Sequence, residues 1–157
     1  MPTNGAVRIA SGATLNLGGL AQTVSSVSGA GTVANGALTV TDWIAPGGTN
    51  GVGTLTLPGS SVFAGATLRV DVSVSGDGDR LICNGDASLE GVTLQVANPA
   101  ALNIRKCYTV VVASGRLTGA FATDNLPKDW HIRYSRGPDD ASATLFWASH
   151  ATVFSIR

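Results

Sequence analysis

Residues 44–57 read IAPGGTNGVGTLTL, a glycine-rich run that passes into alternating Thr and Leu. Such a run either cradles a phosphate or turns a corner between strands. Pro46 fixes φ, Gly47 and Gly48 admit positive φ, and Asn50-Gly51 offers a second turn. A phosphate cradle needs a helix N-terminus directly after the glycines, because the free N–H groups there hold the anion. After Gly53 come Thr54-Leu55-Thr56-Leu57 and then Pro58-Gly59. That is a period of two, the signature of a strand. The stretch is therefore a corner and loop that feed a β-strand.

The same alternation recurs in both directions. ATLNL (13–17), GALTV (36–40), ATLRVDV (66–72), GVTLQV (91–96), YTVVVA (108–113) and ATLFW (143–147) all read as strands, with Asn-Gly pairs and prolines between them. A short helical turn is expected near NPAALNI (98–104), with no longer helix before it. Composition agrees. Only 13% of the 157 residues are charged, Glu90 is the sole glutamate, and exposed-helix formers give way to Gly, Ala, Thr, Ser and Val. The net charge is zero, which removes the bulk attraction that a nucleic-acid partner requires. No apolar run is long enough to be a spanning helix.

GATL occurs at 12–15 and 65–68, and ASLEGVTLQV (87–96) echoes it. Repeats of twenty to thirty residues indicate stacked coils that share one apolar column. An antiparallel sandwich is the competing all-β reading, but it asks for hairpin spacing and more core aromatics than 6%.

The order of motifs in 44–96 is specific: Pro46-Gly47, Gly53-Thr54-Leu55, Gly65-Ala66-Thr67-Leu68, Asp79-Arg80-Leu81, Gly85-Asp86-Ala87-Ser88-Leu89 and Gly91-Val92-Thr93-Leu94. This series resembles the passenger-associated repeat of bacterial autotransporters. CYTVVVASGRLTGAFAT (107–123) is similar to that family's closing strand, and residues 5–33 resemble its preceding coils. The resemblance implies a right-handed parallel β-helix on an exported protein. It implies a place in the secreted or cell-surface material of a Gram-negative-type bacterium, as a stalk or adhesin-like scaffold. Expected partners are flanking domains of a longer surface protein, with surface glycans as a second candidate. The opening MPTNGAV carries no basic-then-apolar export signal, so the chain is expected to be a piece of something longer. The expected layout is β-helix coils over 1–106, closing strands and an antiparallel hairpin cap over 107–147, and a tail over 148–157.

Several motifs invite chemistry, and each has a plainer reading. GAGTVA (29–34) matches a dinucleotide fingerprint, but a turn and a strand come after it instead of a helix. SGDGDRL (75–81) holds a single glycine-aspartate unit where calcium repeats come in series; it reads as a loop with a capping Asp. His131 and His150 are the only histidines, and no Gly-x-Ser-x-Gly elbow accompanies them. Arg69, Asp71 and Ser73 share the outer face of one strand, and Arg80 and Asp86 are candidates to join them, which is the arrangement a polysaccharide lyase-like enzyme would use. KDWHIRYSRGPDD (128–140) interleaves basic and aromatic residues, so Trp130 and Tyr134 are candidates for glycan stacking. Gly-Pro-Asp is strong turn chemistry, and the stretch reads better as a hairpin. The expectation is a non-enzyme with no catalytic residues, no cofactor and no metal.

Alternation also assigns faces. Leu55, Leu57, Leu68, Val70, Val72, Leu81, Leu89, Leu94 and Val96 are expected in the inner column. Cys83 alternates with Leu81 and points inward, while Cys107, beside an inward Tyr108, points out. Cysteines on opposite faces cannot be bridged.

Overall fold

The computed structural model describes residues 5–48, 51–63, 65–137 and 140–149. The fold is all-β, with one 3-10 turn at Pro99–Ala101 inside the segment where a helical turn is expected. Thirteen strands are present among the described residues. The first three are β1 (Ala6–Ile9), β2 (Thr14–Gly29) and β3 (Thr32–Pro46). Next come β4 (Thr54–Pro58), β5 (Thr67–Val70), β6 (Arg80–Asn84), β7 (Ala87–Ser88) and β8 (Thr93–Val96). The chain closes with β9 (Tyr108–Ala113), β10 (Leu117–Thr118), β11 (Thr123–Asp124), β12 (Trp130–Gly137) and β13 (Asp140–Trp147).

Eleven strands form one curled, mixed sheet, and β7 with β10 forms a second. The pairing falls into three rows. In the first, Thr14 pairs Thr32, Thr32 pairs Thr56, Thr56 pairs Ile82 and Ile82 pairs Val112, all parallel. In the second, Ala21–Val24 lie beside Ala37–Val40 and Thr39 bridges Val62, while β7 and β10 pair separately. In the third, Ser26, Trp43, Thr67, Thr93 and Thr123 succeed one another in parallel register, with β1 beside the end of β2. Partners in these rows are far apart in sequence. The separation is 17 residues for the Thr41–Val24 hydrogen bond, 26 for Val72–Asn98 and 30 for Thr93–Thr123.

Alternation sends every second side chain between the rows. Val27, Ile44, Leu68 and Leu94 stack in register, each no more than 1% exposed. Leu55, Leu81 and Val111 make a second buried column. All nine residues expected in the inner column are buried. Phe63 fills the interior from the segment after β4.

Two elements differ from the sequence expectation. Strands expected at 13–17 and 36–40 lie within the long continuous strands β2 and β3. Their corners fall inside the strands as local irregularities: Gly18 and Gly19 take φ of 62° and 81°, Asn35 takes 55°, and the pairing lapses after Asn16–Ala34 and resumes with a shifted register at Leu20–Gly36. Glycine and asparagine tolerate that left-handed region. Later corners widen into loops. At one of them Gly59 and Gly85 stack so closely that a Cβ on Gly85 would lie 2.9 Å from Gly59 Cα, a spacing no side chain allows.

At the far end the pairing reverses. β12 and β13 form an antiparallel hairpin, and β13 pairs β9 antiparallel. This is the hairpin expected from 128–147, although Pro138 and Asp139 of its turn lie outside the described residues. Trp130 turns inward and meets Tyr108 at a ring-centroid distance of 6.0 Å, and Trp147 packs against the same core. The tail from His150 onward and Asn50 of the opening loop also lie outside the described residues.

Candidate functional site

The outer face of the third row carries the residues with the most chemistry. At the level of Trp43 the row otherwise carries hydroxylated residues, the buried Ser26 and then Thr67, Thr93 and Thr123. Trp43 lies next to Thr67 on the neighbouring strand, and Arg69 is the next outward residue along that strand. The Arg69 guanidinium sits 5.9 Å from the indole centroid, a cation–π contact. Asp71 comes next on the same side. Trp43, Arg69 and Asp71, with Ser28, Ala45 and Ala97, line a notch of about 130 Å3. Arg69 and Asp71 therefore share one face, as alternation requires, and Trp43 is the partner that sequence spacing does not reveal.

Behind Asp71 lies a carboxylate that reading along the chain takes for an ordinary loop residue. Asp79 is 1% exposed. One carboxylate oxygen accepts the Gly53 N–H at 2.7 Å and the other accepts the Asp71 N–H at 2.9 Å, while the Asp79 N–H donates to Asp71 O at 2.8 Å. The residue thus ties the corner after β5 to the loop after β3. Burial pushes its carboxyl up to about 7; the two N–H donors oppose this, and the nearby Asp71 charge adds to it. Gly47, the corner of the opening stretch, has φ of 74°, and a Cβ there would run into Asp79 Oδ1 and Gly51 O. The Pro-Gly corner is glycine because the buried carboxylate is packed beneath it.

Asparagine side chains continue the ladders where the strands stop. Asn98 Oδ1 accepts the Val72 N–H at 2.9 Å and its Nδ2 donates to Val72 O at 2.6 Å. Asn125 does the same for Val96, at 2.7 and 2.9 Å. The amide stands in for a peptide unit. Tyr108 is buried, its hydroxyl accepting the Asn103 N–H at 3.0 Å and donating to Ser73 O at 2.9 Å.

The other sequence candidates are dispersed. Arg80 lies on the first row with Nε 3.5 Å from Thr109 O, and Asp86 accepts the Arg116 N–H at 2.7 Å. Neither joins Arg69 and Asp71 in the notch. Trp130 is buried, and Tyr134 accepts the Phe121 N–H at 3.1 Å while its ring packs on Phe121. The two do not form an exposed aromatic platform. Burial raises the Tyr134 hydroxyl above its ordinary value. His131 lies 5.7 Å from the Phe146 ring on the hairpin's outer face. That face has a shallow groove of about 760 Å3 bordered by Arg133, Thr109, Ser142 and Thr144. Cys83 is buried, its thiol pushed up to about 12 by burial, and Cys107 is exposed; both are free. Among the described residues no group of three or more His, Cys, Asp or Glu side chains is placed to hold a metal ion.

No helix among the described residues is long and apolar enough to cross a membrane. Comparison with models of known protein families, with curated proteins and with solved structures finds no match to this chain.

Proposed function

We propose that this chain is a segment of a right-handed parallel β-helix that serves as a rigid scaffold. Its place would be in an exported bacterial surface protein of autotransporter-passenger type. One observation carries the reading: the unbroken register Thr14–Thr32–Thr56–Ile82–Val112 along the first row. A row of parallel partners, each a full circuit of the chain apart, is what coils stacked on one axis produce. The outward positions of that row are mostly hydroxylated, which suits a solvated stalk. The hairpin of β12 and β13 then covers the last parallel strand, an edge that would otherwise invite pairing with another chain.

The scaffold role predicts binding or spacing, with no turnover. Incubation of the chain with pectic and other acidic polysaccharides, with and without calcium, is expected to release no unsaturated product. Turnover that disappears in Asp71→Ala would replace this reading with a lyase. The hand of the coil is read directly from an experimentally determined structure: a left-handed passage between rows would contradict the passenger-type assignment.

A further inference from the structure

The notch at Trp43 has a shape and a charge pattern that a plain stalk does not need. Arg8 pairs Ser28, Ser28 pairs Ala45, and Arg69 is the outward residue next in line after the Ile44–Leu68 pair. Two guanidinium side chains therefore bracket two strands that bear only Ser28 and Ala45. At about 4.8 Å per strand the bracketing positions are about 14 Å apart. Among the described residues, a Cβ on Gly48 would approach one atom, Arg8 Nη2 at 3.9 Å, which brings the Arg8 guanidinium to a residue that lines the notch. Trp43 walls one side, half-buried, and Asp71 stands at the other.

An outward tryptophan on a row of serines and threonines leaves indole surface in contact with water, a cost that a solvated face avoids by using a smaller residue. Here it offers an apolar wall that the Arg69 guanidinium covers in part, 5.9 Å from the ring centroid. Arginines supply donors with carboxylate-matching geometry, and Asp71 supplies an acceptor for hydroxyl groups. The Asp71 backbone is held at both N–H and C=O by Asp79, so this acceptor stands on a fixed support. Ligand sites join an apolar wall to a few polar groups; at about 130 Å3 this notch is smaller than a pocket that encloses its ligand, and suits one sugar residue held with part of its surface in solvent.

We propose that this notch binds a carboxylate-bearing pyranose, with the sugar's C–H groups against the Trp43 indole surface that Arg69 leaves uncovered, its carboxylate toward Arg69 and Arg8, and a hydroxyl donating to Asp71. The site is independent of the hand of the coil and requires no catalysis. An acidic sugar meets all three features together: a neutral sugar leaves the two cations unused, and a bare phosphate leaves the indole unused.

The test is a titration of the full chain, 15N-labelled, followed at the tryptophan indole N–H resonances. Three separate probes are used: sodium glucuronate, glucose and inorganic phosphate. Glucuronate is expected to shift the Trp43 indole peak saturably in the millimolar range, and glucose to bind at least about tenfold more weakly, the loss of one charge-assisted hydrogen bond. Arg69→Ala should weaken glucuronate by a similar factor, and Trp43→Ala should abolish its binding, as read at backbone amides of β5. Thermal melts matching wild type establish that the variants are folded; Arg69 is exposed, so Arg69→Ala retains the core if Trp43→Ala does not. The proposal fails if glucuronate produces no saturable shift, if glucose binds as tightly, or if phosphate competes with glucuronate in a manner indifferent to Trp43.

Discussion

Replacing Asn98 tests the idea that side-chain amides extend the ladders. The wild-type amide makes two hydrogen bonds to Val72, and both backbone groups of that buried residue are held by it. The 3-10 turn does not depend on it, because Asn98 makes no side-chain cap there. Asn98→Ala therefore removes two bonds and little else. The magnitude depends on what replaces them. A buried group left without any partner costs about 1–3 kcal/mol each. Asn98 is exposed, however, so water reaches Val72 once the side chain is gone. The net value of an ordinary hydrogen bond, about 0.5–1.5 kcal/mol, then applies to each, giving a loss of about 1–3 kcal/mol in total. Asn98→Asp sharpens the test. Its carboxylate still accepts the Val72 N–H but places negative charge against Val72 C=O. Its cost should match that of Asn98→Ala near neutral pH and shrink below the carboxylate range, where the protonated acid regains a donor. Urea unfolding followed by far-ultraviolet circular dichroism, at acid and neutral pH, measures both. A loss below about 0.5 kcal/mol for Asn98→Ala, half the usual value of one bond, would refute the reasoning. So would an Asn98→Asp variant as stable as wild type at neutral pH.

Leu81 sits between Leu55 and Val111 in a buried column, and Leu81→Asp should abolish cooperative folding, since an unpaired carboxylate there costs several kcal/mol; a wild-type melting curve would remove it from the core. Asp79 is held near 7 when folded against an ordinary carboxylate near 3.8 when unfolded, so between those values the folded chain keeps a proton that the unfolded chain has lost. Stability should therefore fall as pH rises through that window, by at most about 1.4 kcal/mol per pH unit, and be flat above it. The difference between wild type and Asp79→Asn isolates this term, and a rise of stability with pH in that difference would contradict it. A thiol reagent should modify Cys107 in the folded chain and both cysteines in denaturant without reductant; finding neither reactive in denatured monomer would contradict the face assignment.

The period-two pattern tells which side each strand residue faces, and it does so for Leu55, Leu57, Leu81 and Cys83 alike. Gly-Pro-Asp and the flanking alternation locate the hairpin. What alternation cannot tell is which residue lies beside which, because neighbours in a row are up to 30 residues apart. Trp43 is visible as an aromatic, but its meeting with Arg69 depends on how the strands align between turns of the chain. Asp79 reads as a loop residue because its burial comes from the Gly47 corner packing on it from a distant segment. The unusual glycines of the opening stretch are the signal for it: a run denser in glycine than a turn needs implies close packing around it. Asn98 and Asn125 give no separate signal, since asparagine after a strand reads equally well as a turn.

The claim that the rows are stacked along one axis is tested most directly by a distance. Thr14 lies on the outer side of β2, the first strand of the first row, and Arg133 on the outer side of β12, the far strand of the hairpin that extends that row past β9, and both are exposed. Six strand spacings separate β2 from β12 through β3, β4, β6, β9 and β13. At about 4.8 Å each, they set the two backbones about 29 Å apart. Spin labels at Thr14→Cys and Arg133→Cys, in a Cys107→Ser background that leaves Cys83 buried, report this by double electron–electron resonance. The stacked rows predict a single distribution centred near about 30 Å. A distribution centred below about 20 Å, as a sheet folded back on itself would give, contradicts the account.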